Sequence, residues 1–152
     1  MRLGNILKWA GIIGAVILLT IDLYTSITGF QKILPPLKTG PAADILPYAV
    51  AFVCLGFNAM APHFLKRIFD EGFGSMNAIV IALCWGACYF FDCFSSLVTL
   101  LDTYVGLANF EFYTIYNALR QLSFLAMILF LLTALLLAAS PFILQRFLEI
   151  EK

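Results

Sequence analysis

Two eight-residue segments of the chain share one pattern, and each lies inside a long apolar run. The first segment is Ile21-Asp22-Leu23-Tyr24-Thr25-Ser26-Ile27-Thr28, and the second is Phe91-Asp92-Cys93-Phe94-Ser95-Ser96-Leu97-Val98. Both place an apolar residue, Asp, an apolar residue, an aromatic residue, a hydroxyl residue, Ser and an apolar residue in the same order, seventy positions apart. The pattern predicts an internal repeat in which each copy carries one acid at the same place.

The composition around these segments is that of a membrane protein. Hydrophobic residues make up 62% of the 152 residues and charged residues 12%, against roughly 45–50% and about 25% in soluble domains. A chain this small cannot bury so many apolar side chains in a water-soluble core. This excludes a soluble enzyme, a nucleic-acid-binding module and a disordered tail. Nine basic residues balance nine acids, so we predict an integral membrane protein whose surroundings are the lipid bilayer, with no nucleic-acid partner.

Four apolar stretches approach the length of about 20 residues that crosses a bilayer as a helix. The period-two alternation of barrel strands is absent, so we predict an all-α bundle, a single domain over residues 1–152. The second span is expected to begin after Pro47. The predicted spans cover residues 9–30, 48–62, 77–101 and 122–139.

The first span has two interpretations. Arg2 and Lys8 precede the apolar run, as in a secretory signal peptide. No small-residue cleavage pattern follows, because the run continues through Asp22, Leu23 and Tyr24. We therefore favour an uncleaved transmembrane helix over a signal peptide.

Basic residues near the span ends predict the orientation. Six lie on the side that carries the termini, and three lie on the other side. We therefore expect both termini in the cytoplasm, and we expect the inner membrane of a bacterium. The six are Arg2, Lys8, Lys66, Arg67, Arg146 and Lys152, and the three are Lys32, Lys38 and Arg120.

A second match supports the repeat. Residues 61–70, APHFLKRIFD, align with residues 140–149, SPFILQRFLE, at an offset of seventy-nine. We predict two tandem two-helix hairpins, at about residues 9–71 and 77–150, related by a pseudo-twofold axis along the membrane normal. The alternative is chance similarity between apolar segments. Ser140-Pro141 is typical of a helix start, whereas Pro62 either starts a similar helix or kinks the second span.

Each copy places its acid on one helix face with hydroxyl residues. We expect both acids in the outer half of the hydrocarbon, about nine residues before the predicted span ends. The shared faces comprise Asp22, Thr25, Ser26 and Gly29 in the first copy and Asp92, Ser95, Ser96 and Thr99 in the second.

Three interpretations of these acids remain open. The carboxylates and hydroxyls, which are hard oxygen ligands, form a proton or cation site between the first and third spans. Alternatively, Asp22 and Asp92 hydrogen-bond a neighbour such as Asn58 and only hold the helices together. In the third interpretation they dock a basic residue of another membrane subunit. Interhelical hydrogen bonding is the expected role of Asn58.

An enzyme is the least favoured class. The chain contains no H-E-x-x-H, G-x-S-x-G or phosphate-binding glycine motif. An intramembrane aspartyl mechanism using Asp22 and Asp92 lacks any supporting motif. The four cysteines fall inside predicted spans and lack metal-site spacing, so we expect no metal and no cofactor.

Two functional hypotheses remain. In the first, the protein is a channel or ion-coupled transporter, expected to form homo-oligomers because four helices enclose little room for a pathway. In the second, it is a non-catalytic structural or accessory subunit of a larger membrane complex. Loss of either acid should change ion flux in the first case and assembly in the second.

Overall fold

The computed structural model describes residues 3–34, 41–71, 76–107 and 111–149, and within these ranges it contains helices and no strands. This confirms the all-α fold class. Seven helices follow along the described chain: α1 (Leu3–Ile33), α2 (Pro41–Ala59), α3 (Ala61–Glu71), α4 (Met76–Val105), α5 (Phe112–Gln121), α6 (Phe124–Ala138) and α7 (Ser140–Glu149). Residue 150, where the second repeat was predicted to end, lies outside the described residues.

Two helices are long and apolar enough to cross a membrane by themselves, over Lys8–Ile33 and Met76–Val105. Two bent pairs pass the same test together: α2 with α3, bent by 49°, and α6 with α7, bent by 47°. The described residues therefore contain two candidate spans, or up to four if each bent pair is one span. Only 22% and 17% of the most apolar windows of the two long helices are buried, so most of their side chains face outward, as in lipid.

Both bends follow from proline. Pro62 and Pro141 are the second residues of α3 and α7. Because proline has no N–H, the carbonyls of Asn58 and Leu137, four residues earlier, lose the donor that would continue the helix. The predicted helix start at Ser140-Pro141 is confirmed, and a corresponding helix starts at Ala61.

The predicted start of the second span is wrong. Helix α2 begins at Pro41 and carries Pro47 inside it. Pro41 occupies the first helical position, where a missing N–H is harmless. Pro47 is buried, and packing in the bundle offsets the single hydrogen bond that it removes.

The helices pack in corresponding pairs. The long helices α1 and α4 cross each other. Each also contacts the first helix of the bent pair in its own half, α2 for α1 and α6 for α4. Each long helix also packs against the short helix of the other half, since α1 contacts α7 and α4 contacts α3. Origin by duplication stays a prediction. Both halves contain a long helix followed by a bent pair, with α5 inserted between them in the second half.

Candidate functional site

The two repeated acids lie where α1 and α4 cross. Asp22 and Asp92 are both 0% exposed, and each lies in the middle third of its candidate span. Both helices continue beyond Phe30 and Leu101, where the apolar pattern weakens, and the position of the acids in the outer half of the hydrocarbon stays a prediction. The acids are central in their helices.

A glycine permits the close approach of the two helices. A Cβ atom added at Gly29 would overlap the backbone of Ser95. Thr99, seventy positions after Gly29, donates a hydrogen bond of 2.7 Å from its hydroxyl to the backbone carbonyl of Thr25. Each long helix therefore contacts the backbone of the other at the same level of the crossing.

Hydroxyl groups fill the space between the acids. Thr25 donates to the backbone carbonyl of Asp22 at 3.0 Å, and Ser95 donates to that of Asp92 at 2.8 Å. Thr25 and Ser96 hydroxyl oxygens lie 2.8 Å apart. Either hydroxyl can donate to the other across this contact.

The two carboxyl groups differ in how completely they are bonded. Asp92 accepts from the hydroxyl of Ser26 at Oδ1 and from the amide of Asn58 at Oδ2, the latter at 2.6 Å. Asp22 accepts one longer bond, 3.3 Å, from the hydroxyl of Ser140 at Oδ2. Asp22 Oδ1 is buried and has no hydrogen-bond partner within the described residues.

Each acid thus meets a helix break from the other half of the chain. Asn58 lies in the last turn of α2 and contacts Asp92 of α4, whereas Ser140 begins α7 and contacts Asp22 of α1. Sequence reasoning identified Asn58 as a neighbour of the acids but missed Ser140. The available signal was the alignment of Ser140-Pro141 with Ala61-Pro62, which places Ser140 at the second break.

The structure thus brings together all seven residues that the sequence singled out: Asp22, Thr25, Ser26, Asn58, Asp92, Ser95 and Ser96. Ser140 and Thr99 complete the group, which we call the polar site. Among the described residues, the buried polar side chains include no Lys, Arg or His. The charge of an ionised Asp at this site therefore has no buried basic partner in the described chain.

One cleft reaches the polar site. It has a volume of about 300 Å³ and is lined by Asn58 together with the aromatic residues Trp85, Tyr89 and Phe142. Asn58 is 1% exposed, and its Oδ1 atom lacks a hydrogen-bond partner in the described part of the chain. The lining of the cleft therefore includes a residue that contacts Asp92.

The cysteines and the other metal-binding residue types form no further site in the described chain. Cys54, Cys84, Cys88 and Cys93 are free thiols. No group of three His, Cys, Asp or Glu side chains in residues 3–34, 41–71, 76–107 and 111–149 is arranged to hold a metal ion.

The chain matches no protein-family model, no curated protein and no solved structure.

Proposed function

We propose that this membrane protein is a channel or ion-coupled transporter that binds a proton or a small monovalent cation at the polar site. The observation that carries the proposal is the unpaired Oδ1 atom of Asp22. A buried acceptor left without a partner costs about 1–3 kcal/mol. A cation at this atom would supply the missing partner, and a proton on the carboxyl would remove its charge.

The burial of two acids, Asp22 and Asp92, at one site also supports binding of a proton or cation. An ionised carboxylate at bilayer depth costs at least about 3 kcal/mol, and two neighbouring carboxylates also repel each other. Since no basic side chain is buried with them in the described chain, a bound proton or cation is the simplest source of compensating charge. The hydroxyls of Ser26, Thr25 and Ser96 supply the hard oxygen ligands that such a cation prefers.

The helix breaks support an ion site further. Discontinuous helices in transporters place freed carbonyls and helix ends at the ion-binding site. Pro62 removes the donor to the carbonyl of Asn58, and Ser140 places the N-terminal end of α7 at Asp22. The positive end of a helix dipole favours negative charge on a nearby carboxylate.

Docking of a basic residue from another subunit is less favoured than a small ion. Asp22 and Asp92 are both 0% exposed in the single chain. A Lys or Arg side chain from outside would have to open the α1–α4 crossing to reach them. A proton or a monovalent cation would need only the cleft that Asn58 lines.

The wider arrangement is part of the proposal. Each long helix and each bent pair crosses the bilayer once, giving four spans with both termini in the cytoplasm of a bacterial cell. The excess of basic residues on the side of the termini supports this orientation. The chain works as a homo-oligomer, because four helices enclose little room for a pathway.

Flux into proteoliposomes tests the proposal. Purified protein is reconstituted, and uptake of protons, Na⁺ and K⁺ is measured with ion-sensitive dyes for the wild type, Asp22→Asn, Asp92→Asn and the double variant. Asp44→Asn is the matched control, since Asp44 is an exposed acid at the start of α2. We expect flux in the wild type and the control and at least about a tenfold loss in each site variant, about 1.4 kcal/mol of barrier.

Two outcomes would contradict the proposal. One is the absence of flux of all three ions through a folded wild-type protein. The other is flux that Asp22→Asn and Asp92→Asn leave unchanged. If the site variants instead lose their oligomeric or partner-bound state on size exclusion without any wild-type flux, the accessory-subunit hypothesis is favoured and the acids serve packing.

A further inference from the structure

A second cavity lies away from the acids, where α3 and α7 approach each other, and its lining includes two basic residues. Its volume is about 500 Å³, and it is lined by Pro62, His63, Leu65, Lys66, Phe69 and Arg146. We call it the basic cavity. The side chains of Lys66 and Arg146 are both exposed. The cavity therefore presents positive charge from two helices toward one space.

An apolar cleft adjoins the basic cavity. His63 lines both spaces. The cleft has a volume of about 610 Å³ and runs between α1, α2 and α7, where its apolar lining includes Leu19, Leu23, Phe52, Leu55, Leu144 and Leu148. At the junction, the ring of His63 and the side-chain amide of Gln145 lie 3.4 Å apart, Nε2 to Nε2. Together the two spaces have one charged end and one apolar end.

The charged end lies at the depth expected for phospholipid phosphates. Lys66 follows Asn58 by eight residues, a rise of less than about 12 Å along the axis of α2 because α3 is bent from that axis by 49°. Asn58 contacts Asp92 in the middle third of α4, and half the hydrocarbon thickness is about 15 Å. A long Lys or Arg side chain covers the remaining few ångströms by extending toward the headgroups.

We propose that the basic cavity and the adjoining cleft bind one anionic phospholipid. The lipid phosphate lies between Lys66 and Arg146, which recognise it through charge-assisted hydrogen bonds. One acyl chain occupies the apolar cleft along α1 and α7. This site is separate from the polar site and does not depend on the transport proposal.

Lipid titration tests the charged end. Protein in nonionic detergent is titrated with dioleoyl phosphatidylglycerol or dioleoyl phosphatidylcholine, and bound lipid is counted by native mass spectrometry. We expect phosphatidylglycerol to bind at least about tenfold more tightly. Lys66→Ala and Arg146→Ala should each weaken its binding about fivefold, the effect of about one kcal/mol per basic residue. Arg120→Ala is the control, because Arg120 is an exposed cation on α5.

A pair of glycine variants tests the apolar end. Gly56 lines the cleft, and a Cβ atom added there meets nothing within 4 Å. Gly56→Leu should therefore fill the cleft without straining the fold, and it should weaken phosphatidylglycerol binding. Gly86→Leu is the matched control, since Gly86 is an exposed glycine of α4 whose added Cβ also meets nothing within 4 Å.

The proposal is overturned by equal binding of the two lipids or by wild-type affinity in the double variant of Lys66 and Arg146. It is also overturned if Gly56→Leu binds phosphatidylglycerol as Gly86→Leu does. Competition by millimolar inorganic phosphate, with no effect of Gly56→Leu, would identify a free-anion site instead of a lipid site. None of these results depends on ion flux, so failure here leaves the transport proposal unaffected.

Discussion

Asn58 donates a hydrogen bond of 2.6 Å to Asp92, and this bond joins the last turn of α2 to the middle of α4. Both side chains are buried, at 1% and 0% exposure. Because Pro62 bends the chain just after Asn58, this bond fixes the position of the break against α4.

Replacing Asn58 by Leu, the residue aligned with it at position 137, should destabilise the fold. Asp92 would keep Ser26 and lose its other partner. We expect a loss of about 1–3 kcal/mol in the free energy of unfolding, the cost of an unpaired buried acceptor. Thermal unfolding in detergent measures it, and Asn77→Leu is the control because Asn77 is exposed on α4. Equal stability of the two variants would show that the bond contributes nothing.

Gly29→Ala should separate the two long helices. Its methyl group would overlap the backbone of Ser95, which cannot rotate away as a side chain does. We expect a loss of about 1–3 kcal/mol, as for other overpacked cores, measured by the same thermal unfolding. Gly14→Ala is the matched control on the same helix, because its added Cβ meets nothing within 4 Å. The close crossing would be contradicted by two variants that unfold alike.

The ion pair between Lys32 and Asp102 ties α1 to α4 near their C-terminal ends. Lys32 Nζ and Asp102 Oδ2 lie 2.6 Å apart, and both side chains are about one-third exposed. Asp102 Oδ1 also accepts the backbone N–H of Leu107 at 2.9 Å. We expect Lys32→Ala to cost less than about 1 kcal/mol, as partly exposed pairs do, and Asp102→Ala to cost more because it breaks two interactions.

A double-mutant cycle of Lys32→Ala and Asp102→Ala, measured in low and in high salt, separates the stability contributed by the ion pair from that contributed by the hydrogen bond of Leu107. The coupling between Lys32 and Asp102 should shrink as salt screens it, whereas the bond from Leu107 should not respond. A coupling energy of zero in low salt would show that the pair is not formed in solution.

Reporter fusions test the orientation of the chain. The distribution of basic residues predicts both termini in the cytoplasm. A fluorescent protein that folds only in the cytoplasm should therefore be active at either terminus, and alkaline phosphatase at either terminus should be inactive. An active phosphatase at one terminus would mean that one bent pair enters and leaves the membrane on the same side.

The residues of each half of the polar site could be predicted from the sequence, because helical periodicity depends only on spacing along one helix. Thr25 and Ser26 follow Asp22 by three and four residues, so the sequence alone places them on one face with it. The second copy follows by the same rule. The ends of the long helices were mispredicted, because apolar patterns locate helix ends poorly and both helices extend further than the pattern indicated.

The contacts between helices were not available from local patterns. Nothing near Ser140 in the chain points to Asp22, which precedes it by 118 positions. The unequal bonding of the two acids is equally hidden, since Asp22 and Asp92 have almost the same neighbours in sequence. Asp92 receives an amide because Asn58 aligns with Leu137, and only the packing of α2 on α4 turns that difference into a hydrogen bond.

The sequence by itself determined that the chain is helical and apolar enough for a membrane, that a helix starts at Ser140-Pro141, and that two acids occupy equivalent places in the repeated pattern. These properties depend on hydrophobicity, backbone chemistry and spacing along one helix. The tertiary structure decided which atoms meet: the Gly29 crossing, the full bonding of Asp92 and the unpaired oxygen of Asp22. Such contacts join residues far apart in the chain, and their geometry depends on how whole helices pack.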